Sequence, residues 1–284
     1  MLKQLSQILV GYILGCFLPL FGYEGSVQER IQSIPKEDRE ILEGFFSYMV
    51  SYDYFGFVLF GEKPMAAGGF DTQFSIENTL SEDAMKQRRL HLGWRTWEKY
   101  ASLFPSDKFI LRLSQNPVAP SFYWIVLINK ESCLKCIETN LDVFKSVLGD
   151  SAAPLTILNH LATKENIFND VLKNHDGLLG ILFGYGRYNA MCFQSQKRLS
   201  AVLRGIYPKG KGPSMAIDRL NPFNLYSRDL FVVDLPRFAG VRGKHESSQL
   251  RLSYEKTWVE LSQIYASRNF LEVSLEKLIS NDAL

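Results

Sequence analysis

The strand-type runs of this sequence are short and never alternate strictly with helical ones, and that pattern excludes a doubly wound parallel sheet. The β-type runs are Phe55 to Phe60 (FGFVLF), Phe109 to Leu113, Phe122 to Ile128 and Asp229 to Leu235. Between the second and third, Gln115 to Pro120 carries an Asn and two prolines, which predicts a hairpin with an irregular loop. The remaining apolar residues recur at helical spacing. After Pro35 they are Ile41, Leu42, Phe45, Phe46 and Met49; later come Leu90, Trp94, Trp97, Tyr100 and Phe104, stopped by Pro105. Glu131 to Leu148 reads as one amphipathic helix, Leu155 to Leu161 and Asn166 to Leu172 as shorter ones, and Leu178 to Arg204 as mostly helix. From Glu246 the helical pattern returns through Trp258, Leu261, Tyr265, Leu271, Leu275 and Leu278. Met65 to Leu80 reads as loop, and Tyr23 to Ile34 as a polar linker. The expectation is an α+β fold, a helix-rich single domain over 35–284 around a small, largely antiparallel sheet.

A chain of 284 residues can withdraw roughly three quarters of its unfolded surface from water, so one large core needs no staples. Aromatic residues make up 13%, apolar surface enough to offset the entropy of ordering the chain. A net charge of +2 is too balanced for a nucleic-acid partner. Of the cysteines, Cys16 lies in the N-terminal apolar stretch and leaves Cys133, Cys136 and Cys192, an odd set that does not define a disulfide framework.

Lys3 precedes an apolar run from Ile8 to Phe21 (ILVGYILGCFLPLF). At about 14 residues the run falls short of the about 20 that a bilayer-crossing helix needs, and Pro19 would interrupt a helix near its end. A cationic start, a short apolar stretch and a terminating Pro-Gly region describe a secretory signal over 1–22 better than a spanning helix. Gly22 supplies a small residue for cleavage, whereas Leu20 is large. Ile13 to Cys16 loosely resembles a lipobox that would make Cys16 a lipidation site, against which stand bulky Leu14 and the apolar residues after it. An uncleaved anchor and an ordinary buried helix stay open beside these readings.

Motifs that carry chemistry stop short of completion. Gly205 to Gly212 approaches a phosphate-binding loop, but Gly212 stands where the metal-binding hydroxyl belongs, and a helix rather than a strand precedes it. Cys133 and Cys136 open a helix after a strand, the placement of a redox dithiol, yet no following strand with a cis-Pro is evident. His91, His160, His175 and His245 are scattered and read as structural or surface histidines. Gly177 to Ala190 concentrates glycine, and Gly180 with Gly184 suits a tight helix crossing or a ligand approaching bare backbone, with Arg187 and Asn189 as polar contacts. Lys63, in the charged pair that follows the FGFVLF run, is the other candidate ligand contact. The loop basics Lys209, Lys211, Arg242, Lys244 and His245 would form an anion patch if folding gathered them. No catalytic residue, no metal site and no cofactor is assigned.

The words Phe57 to Met65 (FVLFGEKPM), Gly93 to Tyr100 (GWRTWEKY) and Gly180 to Ala190 (GILFGYGRYNA) resemble a family of exported or membrane-associated proteins from chlamydia-related intracellular bacteria. The resemblance spans most of the chain after the N-terminal segment. It implies a bacterial, exported protein, and no catalytic residue is carried over from it. The functional expectation is a non-enzymatic binding or envelope-associated module of unknown partner. An enzyme with a dispersed site and a secreted host-directed effector are the alternatives.

Overall fold

The computed structural model describes residues 25–73, 82–206, 218–219, 233, 235–236, 239–241, 243–266 and 269–280. Its centre is a three-stranded sheet of β1 (Met65–Asp71), β2 (Phe109–Gln115) and β3 (Phe122–Asn129) in the order β1-β3-β2. Both pairings are antiparallel, and Ile128 lies opposite Met65 on one side and Ile110 on the other. The β2–β3 hairpin follows the sequence expectation, its turn closed by the Asn116 amide donating to the Phe122 carbonyl at 3.0 Å.

Side chains of β3 alternate between two cores. Ile125 and Leu127 enter one, Val126 and Ile128 the other, so the strand is buried on both faces. The first core is closed by α1 (Val27–Ser33), α2 (Lys36–Tyr52), α3 (Phe55–Leu59), α4 (Glu82–Tyr100), α10 (His245–Ala266) and α11 (Phe270–Ile279). The second is closed by α5 (Lys130–Thr139), α6 (Leu141–Leu148), α7 (Pro154–Thr163), a π-helical turn (Ile167–Val171), α8 (Asp176–Leu182) and the start of α9 (Arg187–Ile206). A short ladder joins β4 (Asp218–Arg219) to β5 (Ala239–Gly240). The result is a helix-rich α+β domain with the sheet as its middle layer.

Local chemistry places the main helices as the sequence suggests. Glu37 and Asp38 occupy the first turn of α2, where carboxylates favour the positive end of the helix dipole, and Leu42, Phe45, Phe46 and Met49 are buried. In α4, Trp94 and Trp97 are buried, and Tyr100 donates to Asp38 at 2.7 Å. Each large apolar side chain so enclosed contributes about 1.5–3 kcal/mol.

Four expectations change. Val27–Ser33, within the supposed linker, is a helix with a Ser26–Glu29 capping box, and it seats Ile31 and Ile34 in the first core. The FGFVLF run is helix α3, not a strand: every residue of Phe55–Leu59 is buried, so no alternation marks it, and Gly56 lets Leu261 approach to 3.1 Å of a would-be Cβ. Met65 to Asp71, expected as loop, is strand β1. Its glycines are poor strand formers retained for space, since a Cβ on Gly68 would sit 2.0 Å from Asp53 Oδ2, and one on Gly69 2.4 Å from the Phe122 ring. The helix expected over Glu131 to Leu148 breaks at Asn140, whose side chain donates to the Cys136 carbonyl at 2.8 Å. Asp229 to Leu235, Arg242, the loop 207–212 and the whole opening segment with Cys16 lie wholly or mostly outside the described residues. Among the described residues, no helix is long and apolar enough to cross a membrane.

Candidate functional site

Lys63 lies where the two cores meet, on the link from α3 to β1. Its backbone amide donates to the Phe57 carbonyl at 3.3 Å, which turns the chain so that the side chain runs inward. The residue is only 2% exposed. Nζ donates a short hydrogen bond to the Phe183 carbonyl. Aromatic rings surround it: Tyr185 at 4.8 Å to the centroid, Tyr254 at 5.6 Å, Phe183 at 5.8 Å and Tyr54 at 5.9 Å. Among the described residues, no carboxylate lies within ion-pair reach of this amine. Burial therefore acts without a compensating charge and draws the Lys63 pKa down to about 7. The ring faces and the carbonyl oppose that shift, because they favour the cation.

Three separate parts of the chain build this cage. Tyr54, at a left-handed φ of 66°, ends the bend from α2 into α3. Phe183 and Tyr185 flank Gly184 in the turn from α8 to α9, where Gly184 has φ +71° and Gly186 φ +82°. A Cβ on Gly184 would lie 2.6 Å from the Tyr254 hydroxyl and 3.1 Å from Pro64, so this turn requires glycine for both conformation and space. Tyr254 comes from α10 and donates to the Gly184 carbonyl at 2.6 Å. Burial raises the Tyr254 and Tyr185 hydroxyl pKa values, so both keep their protons.

Beside the cage is a cavity of about 180 Å³ lined by Phe57, Lys63, Cys136, Ile181, Arg187 and Tyr254, among others. Structure thus brings together two of the residues singled out from sequence, Lys63 and Arg187. Arg187 reaches across to α6 and grips Asp142 with its two terminal guanidinium nitrogens, at 2.8 and 2.6 Å. These bonds hold the Asp142 carboxyl below the usual carboxylate range. The pair is solvent-exposed, with side-chain exposures of 49% and 64%.

Asn189 is elsewhere employed. It is 1% exposed, its amide donates to the Tyr185 carbonyl at 3.0 Å, and its oxygen accepts from Val241 N at 3.0 Å and Ser247 Oγ at 2.8 Å. Glu246 next to it caps α9 by accepting from the Tyr188 and Asn189 amides at 3.3 and 3.2 Å. Asn189 locks β5 and α10 to the start of α9, with its polar atoms turned to the protein rather than to a ligand.

Cys133 and Cys136 are free thiols in the second core. Cys136 donates to the Ile181 carbonyl at 3.4 Å, and burial pushes its pKa up to about 12. A redox dithiol needs the opposite shift. Gly180 admits Ala190 to 2.8 Å of a would-be Cβ, which makes the expected tight crossing between α8 and α9. His175 caps α8 by accepting from Leu178 N at 3.2 Å, and His91 stacks on Phe70 at 5.2 Å, both structural positions. No cluster of His, Cys, Asp or Glu suited to a metal ion occurs among the described residues. A second, larger hollow of about 510 Å³ near Trp97, Phe104 and Leu158 has Lys130 as the one ionisable lining residue among the described residues, and that amine donates to the Asp107 carbonyl at 2.7 Å.

Sequence reasoning missed the cage. Tyr54 and Tyr254 stand about 200 positions apart, one before an apolar run that reads as a strand and the other within a helical pattern, where aromatic residues read as core. The one local signal was the Gly184-Tyr185-Gly186 word, whose glycines announce positive φ. No family model, curated protein or solved structure matches the chain.

Proposed function

We propose that this chain is an exported or membrane-tethered, non-enzymatic module that binds a small ligand in the cavity beside Lys63. One observation carries the reading: an almost fully buried lysine adjoins a cavity with no carboxylate in ion-pair reach among the described residues. Burying such a group costs stability that an apolar residue of similar length would not. A chain that keeps it there retains it for chemistry rather than for packing. Apolar walls from Phe57, Ile181 and Leu250, beside Glu62, Asn140, Ser253 and Thr257, favour a compact ligand with an apolar body and one polar group.

Thermal-shift measurements with a set of small aromatic and branched fragments test this, on the wild-type protein and on Lys63→Met. Ligands that bind the native state raise the melting temperature as their concentration passes Kd. Fragments are expected to stabilise the wild type and to lose that effect in Lys63→Met. A set that stabilises both proteins equally, or neither, defeats the reading.

Export rests on the apolar run from Ile8 to Phe21 behind Lys3 and on the resemblance described above. Mass spectrometry of the native N-terminus tests it. A start near Tyr23, a lipid on Cys16, or an intact segment in the membrane fraction each fits export. Unprocessed chain recovered from the cytosol counts against it.

A further inference from the structure

The chemistry of the cage narrows the ligand class, an argument that rests on the binding reading above. A simple anion is a poor match for this cavity. Arg187 at its wall already holds Asp142 with both terminal nitrogens, and the negative faces of the rings around the Lys63 amine disfavour an anion there. What the cavity does offer is a wall to which Lys63 contributes, a buried lysine whose nitrogen is in dry surroundings, the condition that turns a lysine from a cation into a nucleophile. Nearby hydroxyl and thiol groups, Tyr254 and Cys136, hold their protons and so do not compete as nucleophiles. The rings that now face the amine would face a cationic nitrogen formed from it equally well. A space of about 180 Å³ is close to the roughly 150 Å³ of an engineered apolar cavity that accepts benzene.

We infer that the cavity takes a small apolar aldehyde or ketone, and that Lys63 Nζ condenses with its carbonyl carbon to form an imine. In the first step the neutral amine adds to the carbonyl carbon, a C–N bond forms, and the amine proton passes to the former carbonyl oxygen. The resulting carbinolamine then loses that hydroxyl together with the remaining nitrogen proton as one water, which leaves C=N. No oxidant or reductant takes part, and water returning to the cavity reverses the step. Protonated, the product is an iminium held by the rings of Tyr54, Phe183, Tyr185 and Tyr254 as the ammonium was.

Benzaldehyde is the probe, given to the folded wild-type protein at pH 7 with cyanoborohydride, which reduces an imine to a stable benzyl-lysine. Peptide mapping then reads each lysine separately. At this pH an ordinary lysine is neutral to about one part in a few thousand, and the comparator is Lys36, whose side chain is 82% exposed. Lys63 is expected to gain one benzyl group at least about tenfold faster than Lys36, with a rate that climbs as pH rises through 7 and levels above it. Benzaldehyde without reductant, and benzyl alcohol beside it, are followed by thermal shift on wild type and Lys63→Met. If both compounds stabilise the wild type alone and Lys63 stays unlabelled, or is labelled no faster than Lys36, condensation is overturned and reversible binding stands. If neither compound stabilises the protein and Lys63 stays unlabelled, the carbonyl inference falls together with the pocket reading. The labelling measurement uses the wild type alone, so its outcome does not depend on a variant folding.

Discussion

Tyr254 Oη donates a 2.6 Å hydrogen bond to the Gly184 carbonyl, and this bond ties α10 of the first core to the α8–α9 turn of the second. Tyr254 is buried and Gly184 half-buried, so Tyr254→Phe takes a partner from a partly shielded carbonyl and is expected to cost about 0.5–1.5 kcal/mol. Gly184→Ala is expected to cost more. It places a Cβ 2.6 Å from the same hydroxyl at a φ of +71°, a conformation L residues rarely adopt. Urea titrations read both losses, and an unchanged midpoint for Gly184→Ala would show that the turn is not fixed as described.

Lys63 gives stability a definite pH slope. Its folded pKa of about 7 lies below the 10.5 of an unperturbed lysine. Between these values the unfolded chain binds a proton that the folded chain does not, so stability rises with pH across this window. Below about pH 7 both states carry the proton, and the contribution is at its lowest. The span amounts to a few kcal/mol as an order of magnitude. Lys63→Met is expected to flatten the slope and to be at least as stable as wild type at pH 7. Denaturation midpoints at pH 7, 8.5 and 10 measure both effects.

The particular residues show what pattern reading can reach. The β2–β3 hairpin was legible because Phe109 to Leu113 and Phe122 to Ile128 are β-rich and a Pro-Asn loop separates them. Strand β1 was not, because its Ala-Gly character answers to the Asp53 carboxylate and the Phe122 ring, neighbours that only the tertiary fold supplies. Helix α3 was misread for the converse reason: uniformly buried apolar residues carry no period. At the site, Lys63 and Arg187 stood out as cations beside glycine-rich and apolar words, and folding does place both on one cavity. Their aromatic company stayed hidden, since the cage is assembled from α10 and from turns far apart in the chain.

Asn189 and Arg187 are neighbours in sequence with opposite expected phenotypes. Asn189→Ala removes three hydrogen bonds from a buried junction and strands the Val241 amide, so a loss of roughly 2–4 kcal/mol is expected. Arg187→Ala breaks only an exposed pair, and its melting temperature should match wild type, because such pairs contribute little. Arg187 also lines the cavity, so the second change is expected to alter ligand affinity through the shape of that wall at full stability. Parallel thermal and binding measurements on the two variants separate structural from ligand-facing roles.

Asp53 supplies a second titration, opposite in sign to that of Lys63. Its Oδ2 is buried against Gly68 and has no hydrogen-bond partner among the described residues. Burial raises its pKa from 3.8 to about 7, a shift that the positive charge of Lys86 only partly opposes. Between these values the folded chain holds a proton that the unfolded chain has released. Stability contributed by Asp53 is therefore full below pH 3.8, falls as pH rises towards 7, and stays low above it. Asp53→Asn keeps the shape and removes the charge. Its stability is expected to lose the decline between pH 4 and 7 and to exceed that of wild type at pH 8. With Lys63 acting in the other direction, these two groups give the wild type a shallow stability minimum near neutral pH. Midpoints measured from pH 4 to 10 on wild type, Asp53→Asn and Lys63→Met test this directly: each substitution should erase one wall of the minimum and leave the other.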